Sequence, residues 1–469
     1  MRRSAALLAA FATSISAASA AEFQSGQAAR AVIGQPSFSA RDAGIVAHAL
    51  AVSKGRLYAA DASNKTLGFD LAKIPDPKDD LTDGQGSACR VCGFTPVSVA
   101  NQAVMRGVAV AATYGRTVVL ADPPKHRVLI WRDSSSPKPD VVLGRSGSAP
   151  SISANALVDP TSVAFDGKRM FVGDAALHRV LVWNTLPVAD DQPADAVLGQ
   201  PDFSAAVANE VPGANTLHSP GALASDGTNL YVADAADRRI LVFTPGDTPL
   251  TGDAVVNSAS LLPTPLAAGG LATIRITGQN DSSGVSVMLN GQSVPVLSVT
   301  PDEIQIQTPD DFGNATAGSL YVRSQHAGGD VSISNAVAVK LAGAFPGLYA
   351  FGGSEPRPGL LLHADAAASN GVPVTPETPA RAGEVITAWG TGLGAVDEDG
   401  NVLNAVSAWV NGLRAEVVSA KLPEEARGVY EIRVIVPPVS GDNKIAQLFL
   451  TQAGNASNTI LFPVEQGNP

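Results

Sequence analysis

The stretch NLYVADAADRRILVF, residues 229–243, decides the fold because it recurs. It reads as an apolar run, an Asp, a short polar turn and a second apolar run. The same phrase occurs as RLYAADASNKTLGFD from Arg56, TVVLADPPKHRVLIW from Thr117 and RMFVGDAALHRVLVW from Arg169. Its Asp falls at Asp61, Asp122, Asp174 and Asp234, at intervals of 61, 52 and 60 residues. Recurrence on this scale marks supersecondary units that cannot each bury their own faces and must stack on neighbours.

Two more strands flank each hairpin. In the fourth unit GALASD (221–226) precedes it across the turn GTN. DAVLGQPDF (195–203) supplies the other, matched by DVVLGRSG from Asp140 and RAVIGQPSF from Arg30. Four short strands per unit of about 55 residues predict blades of an N-terminal β-propeller over residues 21–256. Four blades are expected, the last completed by the strand near Val32 or the one near Val255. The repeated Asp is expected to accept backbone N–H groups in its tight turn. Five residues on stand Arg127, Arg179 and Arg239, placed to pair with Asp122, Asp174 and Asp234; the first unit has Thr66 there and lacks the pair.

After residue 256 a different pairing begins. AAGGLATIRITG (267–278) corresponds to ARAGEVITAWGTG (380–392), and ISNAVAV (333–339) to ASNTILF (456–462). Asn290–Gly291 and Asn411–Gly412 are hairpin turn signals, because both residue types tolerate positive φ. EIQIQ and EIRVIV alternate apolar and polar, as strands with one buried face do. Two related β-sandwich domains are expected, over residues 257–342 and 343–469. The predicted fold class is therefore all-β.

The endings HRV at His126–Val128 and His178–Val180, and RRI at Arg238–Ile240, give residues 31–256 a resemblance to the NHL family of β-propellers. The second half resembles IPT/TIG-like immunoglobulin modules. More closely it resembles a paired C-terminal module of large exported bacterial proteins, through VVNSAS (255–260), FPGLYAF (345–351), GTGLG (390–394) and GVYEIRV (428–434). That likeness implies architecture and export, with no activity attached.

Residues 1–20, MRRSAALLAAFATSISAASA, have the arginines, apolar stretch and small-residue end of a signal peptide, with cleavage after Ala20 or Ala21. No later apolar run is long enough to span a bilayer. An exported chain is expected, whether secreted, periplasmic or at the cell surface. Charged residues make up only 16%, with 45 Gly and 33 Pro, which suits short strands and turns rather than long surface helices. The net charge of −11 and the lack of a basic run argue against nucleic acid as a partner.

Aligned on the repeated Asp, the innermost strands begin at His48, Arg106, Thr161 and Gly221. His48, Arg106 and Thr161, with His218, are the candidate ligand-binding residues at a channel mouth. One imidazole, one guanidinium, one hydroxyl and one bare backbone make a poor cation site, so no metal or other cofactor is expected. His126 and His178 occupy one repeat position and read as structural. Cys89 and Cys92, in CRVC, are the only cysteines; a local disulfide is the default for an exported chain, and the surroundings are not thioredoxin-like. DEDGN (397–401) reads as a polar turn, because the position of a calcium loop's final Glu is Ala408. No G-x-S-x-G occurs, and no catalytic residue is assigned. The expected function is a non-catalytic interaction protein. Its propeller would bind a protein, peptide or glycan, with the sandwiches as spacers or docking modules. The alternative is a metal-dependent propeller lyase or hydrolase acting in the channel.

Overall fold

A computed structural model describes residues 21–63, 65–74, 76–78, 97–99, 111–144, 152–277, 284–326, 328–364, 371–438 and 444–465. The expected signal peptide, Cys89, Cys92 and Arg106 lie outside them. The described chain is all-β, its only helical elements being four short 3-10 turns, and no helix in it is long and apolar enough to cross a membrane.

The recurring hairpins build four antiparallel four-stranded sheets. The first holds Ala47–Ser53, Arg56–Asp61, Thr66–Asp70 and Val97–Val99, and the second Ala111–Tyr114, Thr117–Asp122, Arg127–Trp131 and Val141–Leu143. The third holds Pro160–Phe165, Met170–Asp174, Arg179–Trp183 and Ala196–Leu198. The fourth has Pro220–Ser225, Leu230–Asp234 and Arg239–Phe243, and takes its outermost strand, Ala31–Ile33, from the start of the chain. That strand registers Ala31 on Val242 and Ile33 on Ile240. The strand near Val255 pairs instead with Leu271–Arg275, in the second half.

Both hairpin strands of the third and fourth sheets are buried at every position. Continuous apolar runs of this kind arise when both faces of a sheet are covered. Val172 and Leu181 pack with Val119 and Ile130 of the second sheet. Phe171 and Val182, on the opposite face, pack with Val232 and Leu241 of the fourth. Tyr231 and Ile240 meet Leu57 and Phe69 of the first. Each fully buried side chain of this size contributes roughly 1.5–3 kcal/mol, so the layers between sheets dominate the stability of this half. The strands that the alignment expects to be innermost abut in the same succession, Ala111–Tyr114 beside Pro160–Phe165, then Pro220–Ser225, then Ala47–Ser53.

The second half is built twice. In the first copy Val255–Asn257, Leu271–Arg275, Glu303–Gln307 and Val296–Val299 form one sheet. A wider sheet runs Leu266–Ala267, Val337–Ala342, Ala317–Gln325, Val285–Leu289, Gln292–Val294. The second copy repeats that order, with Gly347–Leu348, Val385–Thr391, Tyr430–Ile435 and Val417–Lys421 in one sheet. Its wide sheet runs Arg357–Pro358, Ile460–Pro463, Ile445–Gln452, Ser407–Val410, Leu413–Ala415. In each copy the first two strands of the wide sheet run parallel and the rest antiparallel, and one buried cluster fills the space between the two sheets.

The phrases shared by the copies are hydrogen-bonding devices. Asn290 and Asn411, at φ 53° and 47°, open the hairpin turns, and each side-chain oxygen accepts from the facing strand, from Ser319 N at 2.9 Å and Gln447 N at 2.8 Å. In the Ser-Asn pairs, Ser334 Oγ and Ser457 Oγ each accept a strand N–H, from Val322 and Leu450. Asn335 then receives Leu250 N at 2.7 Å and donates to Leu250 O at 2.9 Å. Asn458 does the same for Leu348, at 2.7 and 3.0 Å. A buried carboxamide thus satisfies both polar groups of one residue, Leu250 outside any strand and Leu348 in the edge strand Gly347–Leu348. Asp397 closes its own turn, accepting from the backbone of Asp399 and Asn401.

The first copy is joined to the four-sheet half, where Ala28 N donates to Ala336 O at 2.8 Å and Arg323 Nε donates to Lys78 O at 2.9 Å. The second is joined to the first, where Arg357 donates to the carbonyls of Ala259 and Ser260 and Leu271 N donates to Thr391 Oγ1.

Candidate functional site

In the repeated polar set, Arg127 Nε and Arg239 Nε each donate at 2.9 Å to the carboxylate of their own sheet, at Asp122 and Asp234. Arg179 Nη2 stands 3.6 Å from Asp174 Oδ2. The carboxylates do a different job from the turn-closing one expected. Asp174 accepts from Val158 N and Asp159 N, and Asp234 from His218 N, which are the backbone groups leading into the innermost strand of the same sheet. The turn needs no carboxylate: His126 N and His178 N close it on Pro123 O and Ala175 O, with His126, His178 and Arg238 left-handed at φ 53°, 52° and 54°. Asp61 serves both places, accepting from Val46 N and Ser63 N.

Burial decides the electrostatics of these pairs. It holds the Asp174 and Asp234 carboxyls above the usual range, against the pull of backbone donors and their arginines, and it lowers Arg179. The guanidiniums are satisfied mainly by carbonyls. Arg239 donates to Phe38 O at 2.7 Å and Thr216 O at 2.8 Å, and Arg179 to Phe203 O at 3.3 Å and Ala156 O at 2.8 Å.

The three described residues of the innermost-strand alignment occupy one structural position. His48, Thr161 and Gly221 sit where the ladder shifts register, just after the residue facing the repeated Asp. A bulge there re-aims the side chain. Thr161 Oγ1 reaches Pro220 O of the fourth sheet at 3.4 Å, and a Cβ on Gly221 would stand 3.9 Å from Ala47 O of the first. His48 is exposed. His218 lies two residues before the fourth sheet's innermost strand, its ring 5.5 Å from His178 in a T-shaped contact. His178 Nδ1 accepts from Ser219 N at 3.1 Å, and burial, then His218, depress its pKa. His126 Nδ1 instead donates to Val158 O, and in these two ways the histidines each tie their sheet to the next. Among the described residues no three His, Cys, Asp or Glu side chains gather as a metal site.

A cleft of about 490 Å³ lies elsewhere, between the four-sheet half and the first copy. One wall is the loop from Pro36 to Asp42, held by the Gln35 carboxamide, which accepts from Asp42 N and donates to Asp42 O and Arg238 O. Gln200 holds the corresponding loop of the third sheet, bonding Val207 and His178 O. The opposite wall is the Asn290 hairpin and the loop from Pro309 to Ala315, tied across by Thr316 N donating to Ser39 Oγ at 3.0 Å. Phe38, Leu289, Pro309 and Phe312 give the cleft its apolar part; Asp42, Gln292, Asp311 and Asn314 line it with carboxylates and amides. Among the described residues no Lys, Arg or His lines it. The sequence signals only the Asn-Gly turn here, because the two walls lie about 250 residues apart along the chain.

No protein-family model matches the chain, and neither does any curated protein. Among solved structures it is similar to the surface glycan-binding protein PbSGBP-B of Prevotella bryantii, at 10% identity over 44% of this chain and 40% of that one, TM-score 0.16. It is similar to fibronectin(III)-like modules of Clostridium thermocellum CbhA, at 18% identity over 45% and 94%, TM-score 0.14. The computationally designed Ika4 protein matches at 15% identity over 45% and 96%, TM-score 0.19. Likenesses this slight carry no weight for fold or function.

Proposed function

We propose that this chain is an exported, non-catalytic interaction protein that binds a polyhydroxyl ligand, a glycan, in the cleft between its two halves. In this reading residues 21–256 close as a four-bladed propeller, and the two copies, residues 257–342 and 343–469, are Ig-like sandwiches that carry one wall of the site. The ring is supported by the strand Ala31–Ile33 in the fourth sheet and by Phe38 O, which serves Arg239 as Phe203 O serves Arg179. The loop after the first strand of the chain therefore acts as the connection from the fourth sheet to the first.

The observation that carries the function is the lining of the cleft, apolar surface with carboxylates and amides and no cation. Oxygen acceptors and carboxamides beside an aromatic ring suit neutral hydroxyl-rich molecules, whose C–H faces pack on apolar surface while their hydroxyls donate. A glycan array probed with the mature chain, followed by calorimetry on the best neutral oligosaccharide, tests it. Binding that falls at least roughly tenfold in Phe312→Ala and Asp311→Asn supports the reading. Binding unchanged in both variants, or no neutral glycan bound at all, removes it.

A further inference from the structure

The two copies differ in what covers the outer face of the wide sheet. In the first copy Met288 faces Tyr321 across neighbouring strands, and both are buried in the cluster that holds Phe23, Ala28 and Phe171 of the four-sheet half. Trp409 facing Phe449 is the same pair in the second copy. These rings are half-buried, stacked at 10° with centroids 6.2 Å apart, and Trp409 Nε1 donates to Thr451 Oγ1 at 3.1 Å. The strand Ile445–Gln452 alternates buried inward residues with open outward ones, Ile445, Gln447, Phe449 and Thr451.

Beside the aromatic pair stands Arg414, registered on Trp409 from the edge strand. Facing residues of one strand pair share a face, so guanidinium, indole and phenyl form a row across three strands about 5 Å apart. Arg414 is exposed and makes no ion pair or side-chain hydrogen bond among the described residues. Indole and phenyl surfaces stack on the C–H face of a pyranose ring, and a free guanidinium beside them matches a carboxylate in charge and shape. Gln447, Thr451 and Ser407 add hydrogen-bonding groups on the same face.

We infer that the Trp409–Phe449–Arg414 row is a second binding site, for an acidic glycan built of uronate units. It is independent of the cleft and takes an anionic ligand where the cleft takes a neutral one. Affinity electrophoresis of the full mature chain through gels containing polygalacturonate or a neutral galactan tests it. Polygalacturonate should retard the chain and neutral galactan should not, and added salt should weaken the retardation. Arg414→Gln, an exposed change that leaves the sheet intact, should weaken binding roughly tenfold. Trp409→Ala should abolish it, while Phe312→Ala in the cleft leaves it unchanged. Several results overturn the site: no retardation of the parent chain, retardation of the Arg414 and Trp409 variants as strong as that of the parent, or retardation by the neutral polymer that Arg414→Gln does not alter. A dimer in sedimentation that Trp409→Ala dissolves, without any polygalacturonate shift, would assign the face to self-association and equally overturn the glycan.

Discussion

The strands Ala317–Gln325 and Ile445–Gln452 occupy the same place in two sheets of the same order, yet the first is buried on both faces for most of its length and the second on one. The inward residues serve the same purpose in both. The outward ones have parted. Where a neighbour covers the sheet, Tyr321 is sealed in and its hydroxyl meets Arg30; where the face stays half-open, Trp409 and Phe449 shelter each other. A duplicated fold keeps the bonds that close it and changes the face it shows. The energetic weight of a residue then follows its cover rather than its motif.

That rule can be broken most directly at the paired aromatics. Tyr321→Ala should destabilise by roughly 3–5 kcal/mol, as truncation of a buried aromatic does. Phe449→Ala should cost about 1 kcal/mol or less, the worth of a half-exposed aromatic contact. Denaturant midpoints of the two variants measure the gap, and equal losses would end the argument from cover.

The repeated ion pairs extend the comparison to the other half. Arg239 and Asp234 are fully buried, so Arg239→Leu strands a carboxylate and should cost roughly 3–5 kcal/mol. The same change at Arg127, in a pair left partly open to water, should cost about 1 kcal/mol or less. Thermal unfolding of both variants decides it.

The copies should agree where they are alike inside. Asn335→Ala and Asn458→Ala each leave one residue's N–H and C=O unpaired and should cost about 1–3 kcal/mol apiece, within error of each other. A several-fold inequality would mean that cover reaches even the interior pins.

The smallest effect is a pH dependence at the seam of the third and fourth sheets. Burial and His218 hold His178 below the usual imidazole value of about 6.5, so the folded chain keeps neutral a group that the unfolded chain protonates. Stability from this group is present above about pH 6.5 and is lost as pH falls through the window beneath it. His178→Gln should flatten that slope in unfolding curves measured across mild acid, and leave the difference between Tyr321→Ala and Phe449→Ala untouched.

Much of this was readable in the residues because it is local. Strand, turn and strand in LYVADAADRRILVF lie within one hairpin, so two apolar runs on either side of a short polar turn suffice to place Leu230–Asp234 against Arg239–Phe243. The Asn-Gly and Ser-Asn phrases were legible as a duplication because each performs a backbone-satisfying task that few residue types can. The carboxylate's target was not, since Asp174 reaches 15 and 16 residues back to the backbone of Asp159 and Val158 rather than into its own turn. Nor was the bulge at His48, Thr161 and Gly221, which leaves no mark in residue type. The cleft and the bare aromatic face depend on which surfaces meet, a property of tertiary placement that no window of sequence contains.

The strand Ala31–Ile33 also sets an order in time. It is synthesised before its partner, Arg239–Phe243, which follows some 200 residues later. At about 5–20 residues per second of synthesis, the first strand waits ten seconds or more with an unsatisfied edge. The last sheet therefore cannot finish before the other three have been made, and closing so long a loop delays it further. Until then Val32 and its neighbours are an exposed apolar segment, and whatever shields nascent chains must hold them apart from other strands. Completion of the four-sheet half is thus a single late event, reached when Ala31–Ile33 meets residues made long after it.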